Sequence, residues 1–234
     1  MKRLFTILLC LITAAGFSQT INDPNAQVRT VSEFNSIEVS GAIDLYISQG
    51  NDVAVAVSAA DENLRSKIKT EVRNGTLRIY FDDHSKWSWG NKKLTAYVSF
   101  KTLKALDVSG ASSCKINGVL NLNDLNVKLT GASSLVGAVK LTTLNLEGSG
   151  ASNIKISGTV TNANINCSGA SDVKSYDLIT DVCVAKISGA SDINITVNGK
   201  LSVTASGASS LKYKGSAVIQ ELNSSGASSV SKKS

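Results

Sequence analysis

Two aspartates, Asp172 and Asp192, follow successive copies of one short motif, and they are the residues of this chain whose spacing best suits acid chemistry. If the two copies stack, the carboxylates lie on neighbouring strands about 5 Å apart. Such a pair can bind calcium or act as the acid and nucleophile of a glycosidase. Other copies hold small polar residues there, namely Ser113, Ser134, Asn153 and Ser210. We therefore favour a solvated polar column, with metal binding and catalysis as alternatives, and expect no cofactor.

Four lysines share another position of the same repeat: Lys115, Lys155, Lys174 and Lys212. Val136 and Asn194 interrupt the column. A basic stripe can bind an anionic polysaccharide or phospholipid headgroups. Lysines on an exposed sheet also protect it from aggregation. Both interpretations remain open.

The segment from Asp82 to Lys93 contains the only histidine, His84, and both tryptophans, Trp87 and Trp89. We predict a polar loop between strands at 77–81 and 94–100. The two indoles would share one side of an extended segment, where they can stack on sugar rings or anchor a partner. The alternative is that they cover one end of the fold.

The repeated motif itself, Ser/Thr-Gly-Ala-Ser, resembles a serine-nucleophile turn only superficially. A serine needs an aligned base, and the seven copies would compete for one imidazole. The sequence after Gly199-Lys200 continues with Leu201, which does not fit a phosphate-binding loop. We predict no catalytic residue and a protein that is not an enzyme.

The motif recurs with a period of 18 to 21 residues, its glycines falling at 110, 131, 150, 169, 189, 207 and 226. This period fits one coil of a β-solenoid. Apolar residues alternate with polar ones before and after each motif, as in strands with one buried face. Each coil is thus predicted to be a strand, a Gly-Ala-Ser corner, a second strand and a turn. Cys114, Cys167 and Cys183 occupy apolar positions and are expected to be buried.

The N-terminal residues 1–18 are predicted to be a signal peptide, with Lys2 and Arg3 before an apolar run and cleavage after Ser18. Removal of these two charges changes the formal net charge from +6 to 6 − 2 = +4, a mild basic bias. We expect no transmembrane segment and no nucleic-acid partner. Residues 19–234 are predicted to form a single β-solenoid domain, with an irregular, capping half at 19–108 and regular coils at 109–234. A helical turn is predicted within 61–69, and a turn at Asn74-Gly75.

The chain resembles the head GIN domain family of auto-transporter adhesins. The resemblance rests on the ladder of Ser-Gly-Ala-Ser motifs and on an opening pattern: Arg29, Phe34, Ile37, Val39, the segment 40–50 (SGAIDLYISQG), 53–57 and 72–79. It implies an all-β, right-handed parallel β-helix that is exported to the periplasm or the cell surface. It also implies an adhesin. We predict that the protein binds a glycan or another envelope component, with the tryptophan loop and the lysine column as the candidate binding sites. The alternatives are a periplasmic structural or envelope-stress protein without a ligand and, third, a polysaccharide-active enzyme.

Overall fold

Buried and exposed residues alternate along the strands, as the sequence pattern predicts. In the coil that ends at Cys167, Ile165 is buried while Asn164 and Asn166 are exposed. Successive side chains of a strand point to opposite faces, so each coil buries one row of side chains inside the solenoid. In the computed structural model, which describes residues 23–82 and 93–234, the chain is a right-handed parallel β-helix of about seven turns. The predicted signal peptide and the tryptophan loop lie outside the described residues.

The described residues contain sixteen strands and one short helix. In chain order these are β1 (Gln27–Arg29), β2 (Ser36–Ser40), β3 (Ile43–Gln49), β4 (Ala54–Ala59), α1 (Glu62–Lys67), β5 (Ile68–Arg73), β6 (Thr76–Phe81), β7 (Leu94–Phe100), β8 (Ala105–Val108), β9 (Ser113–Leu129), β10 (Ser134–Gly148), β11 (Asn153–Cys167), β12 (Asp172–Ile187), β13 (Asp192–Ala205), β14 (Ser210–Lys214), β15 (Val218–Ser224) and β16 (Ser229–Lys232). The predicted helical turn is confirmed as α1, which Asp61 caps by accepting from the Leu64 amide. No helix among the described residues is long and apolar enough to cross a membrane.

Two parallel sheets flank the row of Gly-Ala-Ser corners. The pre-corner sheet contains β6, β2, β8, the C-terminal parts of β9 to β13, and β15. The post-corner sheet contains β7, β3, the N-terminal parts of β9 to β13, β14 and β16. The middle parts of the long strands connect the two sheets, and the register shifts there at several bulges.

The N-terminal half stacks out of chain order, which the repeat did not predict. Strand β2 lies between β6 and β8, and β3 lies between β7 and β9. The first coil of the chain is therefore enclosed by the second and third. The antiparallel strands β1, β4 and β5 pair outside these coils and cover the exposed strand edges at this end. The predicted turn between β5 and β6 is confirmed, with positive φ at Asn74 (50°) and Gly75 (74°).

The corners stack glycine upon glycine. Gly169 has φ of +74°, and a Cβ on it would lie 2.6 Å from the carbonyl oxygen of Gly150 in the preceding coil. Only glycine combines this backbone conformation with so close an approach. The amide of Ala170 donates to that same carbonyl at 2.7 Å, so the corners are bonded from coil to coil. The early Ser-Gly-Ala at 40–42 stacks on the corner at Gly110 in a different way, because the Ala42 amide donates to the carbonyl of Gly110 in the later coil at 3.0 Å and Ala42 itself has φ of +60°.

Candidate functional site

The four predicted lysines lie exposed in one outward column of the post-corner sheet. Lys115 and Lys155 both pair in register with Val136, and Asn194 separates Lys174 from Lys212. Ile154 pairs with Val173, so Lys155 and Lys174 follow on neighbouring coils. The column spans five coil steps, about 24 Å at the usual strand spacing. The alignment of these side chains on one face is therefore as the sequence predicted.

Three of these ammonium groups are unpaired within the described part of the chain. Within 4.0 Å, Lys115, Lys155 and Lys212 contact no carboxylate of the described residues. Lys174 Nζ lies 2.8 Å from Asp172 Oδ2, and this hydrogen bond and charge raise the pKa of Lys174. The free lysines are thus available to an external anion.

A pair of tyrosines stands at the N-terminal end of the column. Tyr46 pairs in register with Lys115, and Tyr97 lies on the other side of Tyr46. The two partly buried rings stack with centroids 5.4 Å apart and planes 23° apart. Tyr97 donates its hydroxyl to Asp23 at 3.0 Å, and burial together with this bond raises its pKa to about 12. We call the lysine column and these two tyrosines the lysine face.

Asp172 and Asp192 pair in register on adjacent coils, in the predicted polar column beside the lysines. Asp172 is engaged by Lys174, while Asp192 is exposed. Within residues 23–82 and 93–234, no group of three or more histidine, cysteine, aspartate or glutamate side chains is arranged to hold a metal ion. The role of this pair remains a prediction, as does that of Trp87 and Trp89.

The serines that end the Gly-Ala-Ser motifs are structural. Ser171 is fully buried and donates its hydroxyl to the Ser168 carbonyl at 2.8 Å, and Ser152 bonds Ser149 in the same way at 2.7 Å. The buried Ser133 and Ser209 hydroxyls have no hydrogen-bond partner among the described residues. Cys114, Cys167 and Cys183 are buried as predicted and form no disulfide within the described part of the chain, and burial raises the pKa of Cys167 and of Cys183 to about 12. Thiols so hard to ionise are poor nucleophiles.

The pre-corner sheet carries a second candidate surface, which the sequence patterns did not single out. Asn126, Asn145 and Asn164 stand in register on three successive coils. Asn145 Nδ2 donates to Asn126 Oδ1 at 2.8 Å, and Asn164 Nδ2 donates to Asn145 Oδ1 at 2.8 Å. The sequence does place an asparagine at the same position of three consecutive repeats. Such an asparagine by itself indicates only a solvent-facing polar residue.

This outward surface is a shallow, open concavity with a volume of about 710 Å³. A charged column runs beside the asparagines, consisting of Asp107, Lys128, Glu147, Asn166 and Lys186. Its formal charges cancel, and within the described residues none of them is paired within 4.0 Å. Half-burial raises the pKa of Asp107, and the nearby Glu38 and Glu147 add to the rise while Lys128 opposes it. We call this surface the asparagine face.

The architecture defines a class of protein, a right-handed parallel β-helix with polar outward faces. The family model described as "putative auto-transporter adhesin, head GIN domain" matches residues 33–217, and the chain belongs to this family. None of the curated proteins with which the chain was compared matches it.

Several solved structures share the fold at low sequence identity. A "putative adhesin" from Bacteroides fragilis NCTC 9343 is 22% identical with a TM-score of 0.82, covering 89% of this chain and 96% of its own. A "putative adhesin" from Parabacteroides merdae ATCC 43184 is 20% identical with a TM-score of 0.69, covering 89% and 95%. A "putative lipid binding protein" from Parabacteroides distasonis ATCC 8503 is 22% identical with a TM-score of 0.67, covering 91% and 98%. These similarities show the fold.

Proposed function

We propose that this protein is an exported, non-enzymatic adhesin that binds an acidic polysaccharide of the cell envelope through its lysine face. The observation that carries the proposal is the column of exposed lysines, of which Lys115, Lys155 and Lys212 have no carboxylate within 4.0 Å among the described residues. Unpaired cations in a line attract a polyanion without first breaking an internal ion pair.

The rigidity of the scaffold supports a binding role. The strands that carry the lysines are hydrogen-bonded to neighbours on both sides, from Lys115 on β9 to Lys212 on β14. Their backbone spacing is therefore fixed before any ligand arrives. A pre-organised surface gives up little further backbone freedom on binding, which favours affinity.

The tyrosine pair favours a polysaccharide over a phospholipid. Tyr46 and Tyr97 lie in the same column as Lys115, so an aromatic surface and a cation stand side by side. Aromatic rings pack against the apolar faces of sugars, and a neighbouring ammonium can bind a uronic acid carboxylate. A phospholipid headgroup would use the lysines but would leave the aromatic pair without a specific role.

The test compares two triple variants of the purified protein. Lys115→Gln/Lys155→Gln/Lys212→Gln removes the free cations of the lysine face. The matched control, Lys101→Gln/Lys140→Gln/Lys200→Gln, removes three exposed lysines elsewhere and has the same net charge. Affinity is measured by calorimetry with polygalacturonate, and by sedimentation with phosphatidylglycerol vesicles.

We expect the lysine-face variant to bind polygalacturonate at least about tenfold more weakly, since each cation near a polyanionic surface contributes about 1 kcal/mol. The control should stay within about twofold of the wild type. Equal losses in the two variants would show that only net charge matters. Binding to the vesicles but not to polygalacturonate would replace the polysaccharide with a membrane surface, and binding to neither would contradict the proposed function.

A further inference from the structure

The asparagine face is chemically unlike the lysine face, and nothing in the proposed function uses it. It is concave where the lysine face is a single column, and its formal charges cancel. Its most regular feature is the amide ladder of Asn126, Asn145 and Asn164. A surface of neutral donors and acceptors at regular spacing suits a ligand that is also neutral, polar and repetitive.

The ladder leaves more than half of its hydrogen-bonding capacity unused. Each amide nitrogen has two N–H donors and each amide oxygen has two lone pairs. Asn145 spends one donor on Asn126 and one lone pair on Asn164. Asn126 in turn donates to the Lys104 carbonyl at 3.3 Å. One further donor on each asparagine remains for a ligand, together with one lone pair on Asn126 and Asn145 and both lone pairs of Asn164.

The ladder also fixes the orientation of these amides. An exposed asparagine normally samples several rotamers, and ordering it on binding costs free energy. Here each amide is hydrogen-bonded to its neighbour one coil away. Its rotamer is therefore already ordered in the fold before a ligand binds. The ladder ends where Val184, which is 38% exposed, takes the place of asparagine, and Ala105 occupies the equivalent place at the other end. These two positions offer apolar contact beyond the amides.

The geometry points to a second binding site, in which a neutral linear polysaccharide lies along the solenoid axis with its hydroxyls on the amides of Asn126, Asn145 and Asn164. From Ala105 to Val184 the face crosses four coil steps, about 19 Å at the usual strand spacing, which suits a short run of sugar units. Hydroxyls both donate and accept, as the free amide positions require. An extended peptide is a poorer fit, because the central strands of this sheet have no unpaired backbone edge for it to join.

Unpaired charges beside the ladder are compatible with this ligand. Lys128 and Glu147 alternate in sign on adjacent coils, so Lys128 can donate a hydrogen bond to a hydroxyl and Glu147 can accept one from it. A polyanion would be attracted by Lys128 and Lys186 but repelled by Asp107 and Glu147. A neutral polysaccharide meets neither this attraction nor this repulsion. The asparagine face therefore differs from the lysine face in the kind of ligand that it favours.

The experiment measures binding of the whole protein to soluble neutral glycans, with cellohexaose, laminarin and yeast mannan as probes. The test variant is Asn145→Ala, which removes the centre of the ladder. The matched control is Asn123→Ala, an exposed asparagine on the same strand as Asn126 that makes no side-chain hydrogen bond with the described residues. Thermal melts of both variants establish that they are folded, and side-chain NH₂ resonances of the three ladder asparagines are followed by NMR.

We expect at least one probe to bind the wild type and to shift the ladder NH₂ resonances. Asn145→Ala should weaken that binding about fivefold or more, through the lost contact and the freed neighbours. Asn123→Ala and the triple lysine-face variant should not change it, and neither should a rise in salt that weakens polygalacturonate binding. The inference is overturned if no probe binds, if the ladder resonances do not move, or if Asn145→Ala binds as well as the wild type. None of these outcomes bears on the lysine face, whose test uses a different ligand and different variants.

Discussion

The missing Cβ of Gly169 would lie 2.6 Å from the carbonyl oxygen of Gly150, the residue directly below it in the stack of corners. That oxygen is also the acceptor of the Ala170 amide at 2.7 Å. The corner therefore depends on glycine both for its φ of +74° and for the closeness of the two coils.

Gly169→Ala should strongly destabilise the solenoid. Positive φ costs a non-glycine residue about 1–2 kcal/mol, and the clash with Gly150 adds a comparable packing cost. The free energy of unfolding, measured by urea denaturation, should fall by about 3 kcal/mol or more. Gly118→Ala is the matched control, because Gly118 has φ of +81° but nothing within 4 Å of its missing Cβ. Equal losses in the two variants would show that coil contact plays no part at the corner.

The cysteines should be inert in the folded protein. Burial raises the pKa of Cys167 and Cys183 to about 12, and both side chains lie in the interior of the solenoid. Alkylation requires the thiolate, so iodoacetamide at pH 8 should leave both residues unmodified in the native protein. Both should react completely in denaturant, as seen by mass spectrometry. Rapid labelling of native Cys167 would contradict the closed interior at this coil.

Asp107 should make the fold less stable as the pH rises through its titration. Its pKa is raised in the folded state by half-burial and by Glu38 and Glu147, so the fold disfavours the charged form. The contribution of Asp107 to the free energy of unfolding is then greatest below the unfolded pKa of about 3.9, and it declines as the pH rises through the higher folded pKa. Asp107→Asn removes this decline.

The expected result is a melting temperature for Asp107→Asn that exceeds that of the wild type by more at pH 7 than at pH 4. Asp124→Asn, an exposed aspartate of β9 outside the asparagine face, controls for the removal of one carboxylate. A difference between Asp107→Asn and the wild type that does not change with pH would contradict the account of this carboxyl.

Local periodicity was sufficient to predict the regular coils, and it aligned the lysines correctly. Strand alternation reports which side chains are buried, and the Gly-Ala-Ser spacing reports which residues share a column. The stacking of Tyr46 on Tyr97 could not be predicted from local periodicity, because β7 joins β3 out of chain order and no repeat relates these strands. The curvature of the pre-corner sheet could not be predicted either. The register of Asn126, Asn145 and Asn164 could be obtained from the repeat, but the concavity of their sheet depends on how whole coils stack.

The salt dependence of polygalacturonate binding tests the central claim, that the lysine face is a binding surface, most directly. Binding that neutralises a polyanion releases counterions, so the logarithm of affinity falls with the logarithm of salt in proportion to the number of ionic contacts. We predict a steep slope for the wild type and for Lys101→Gln/Lys140→Gln/Lys200→Gln, and a clearly shallower slope for Lys115→Gln/Lys155→Gln/Lys212→Gln. Identical slopes for the two triple variants would contradict the account.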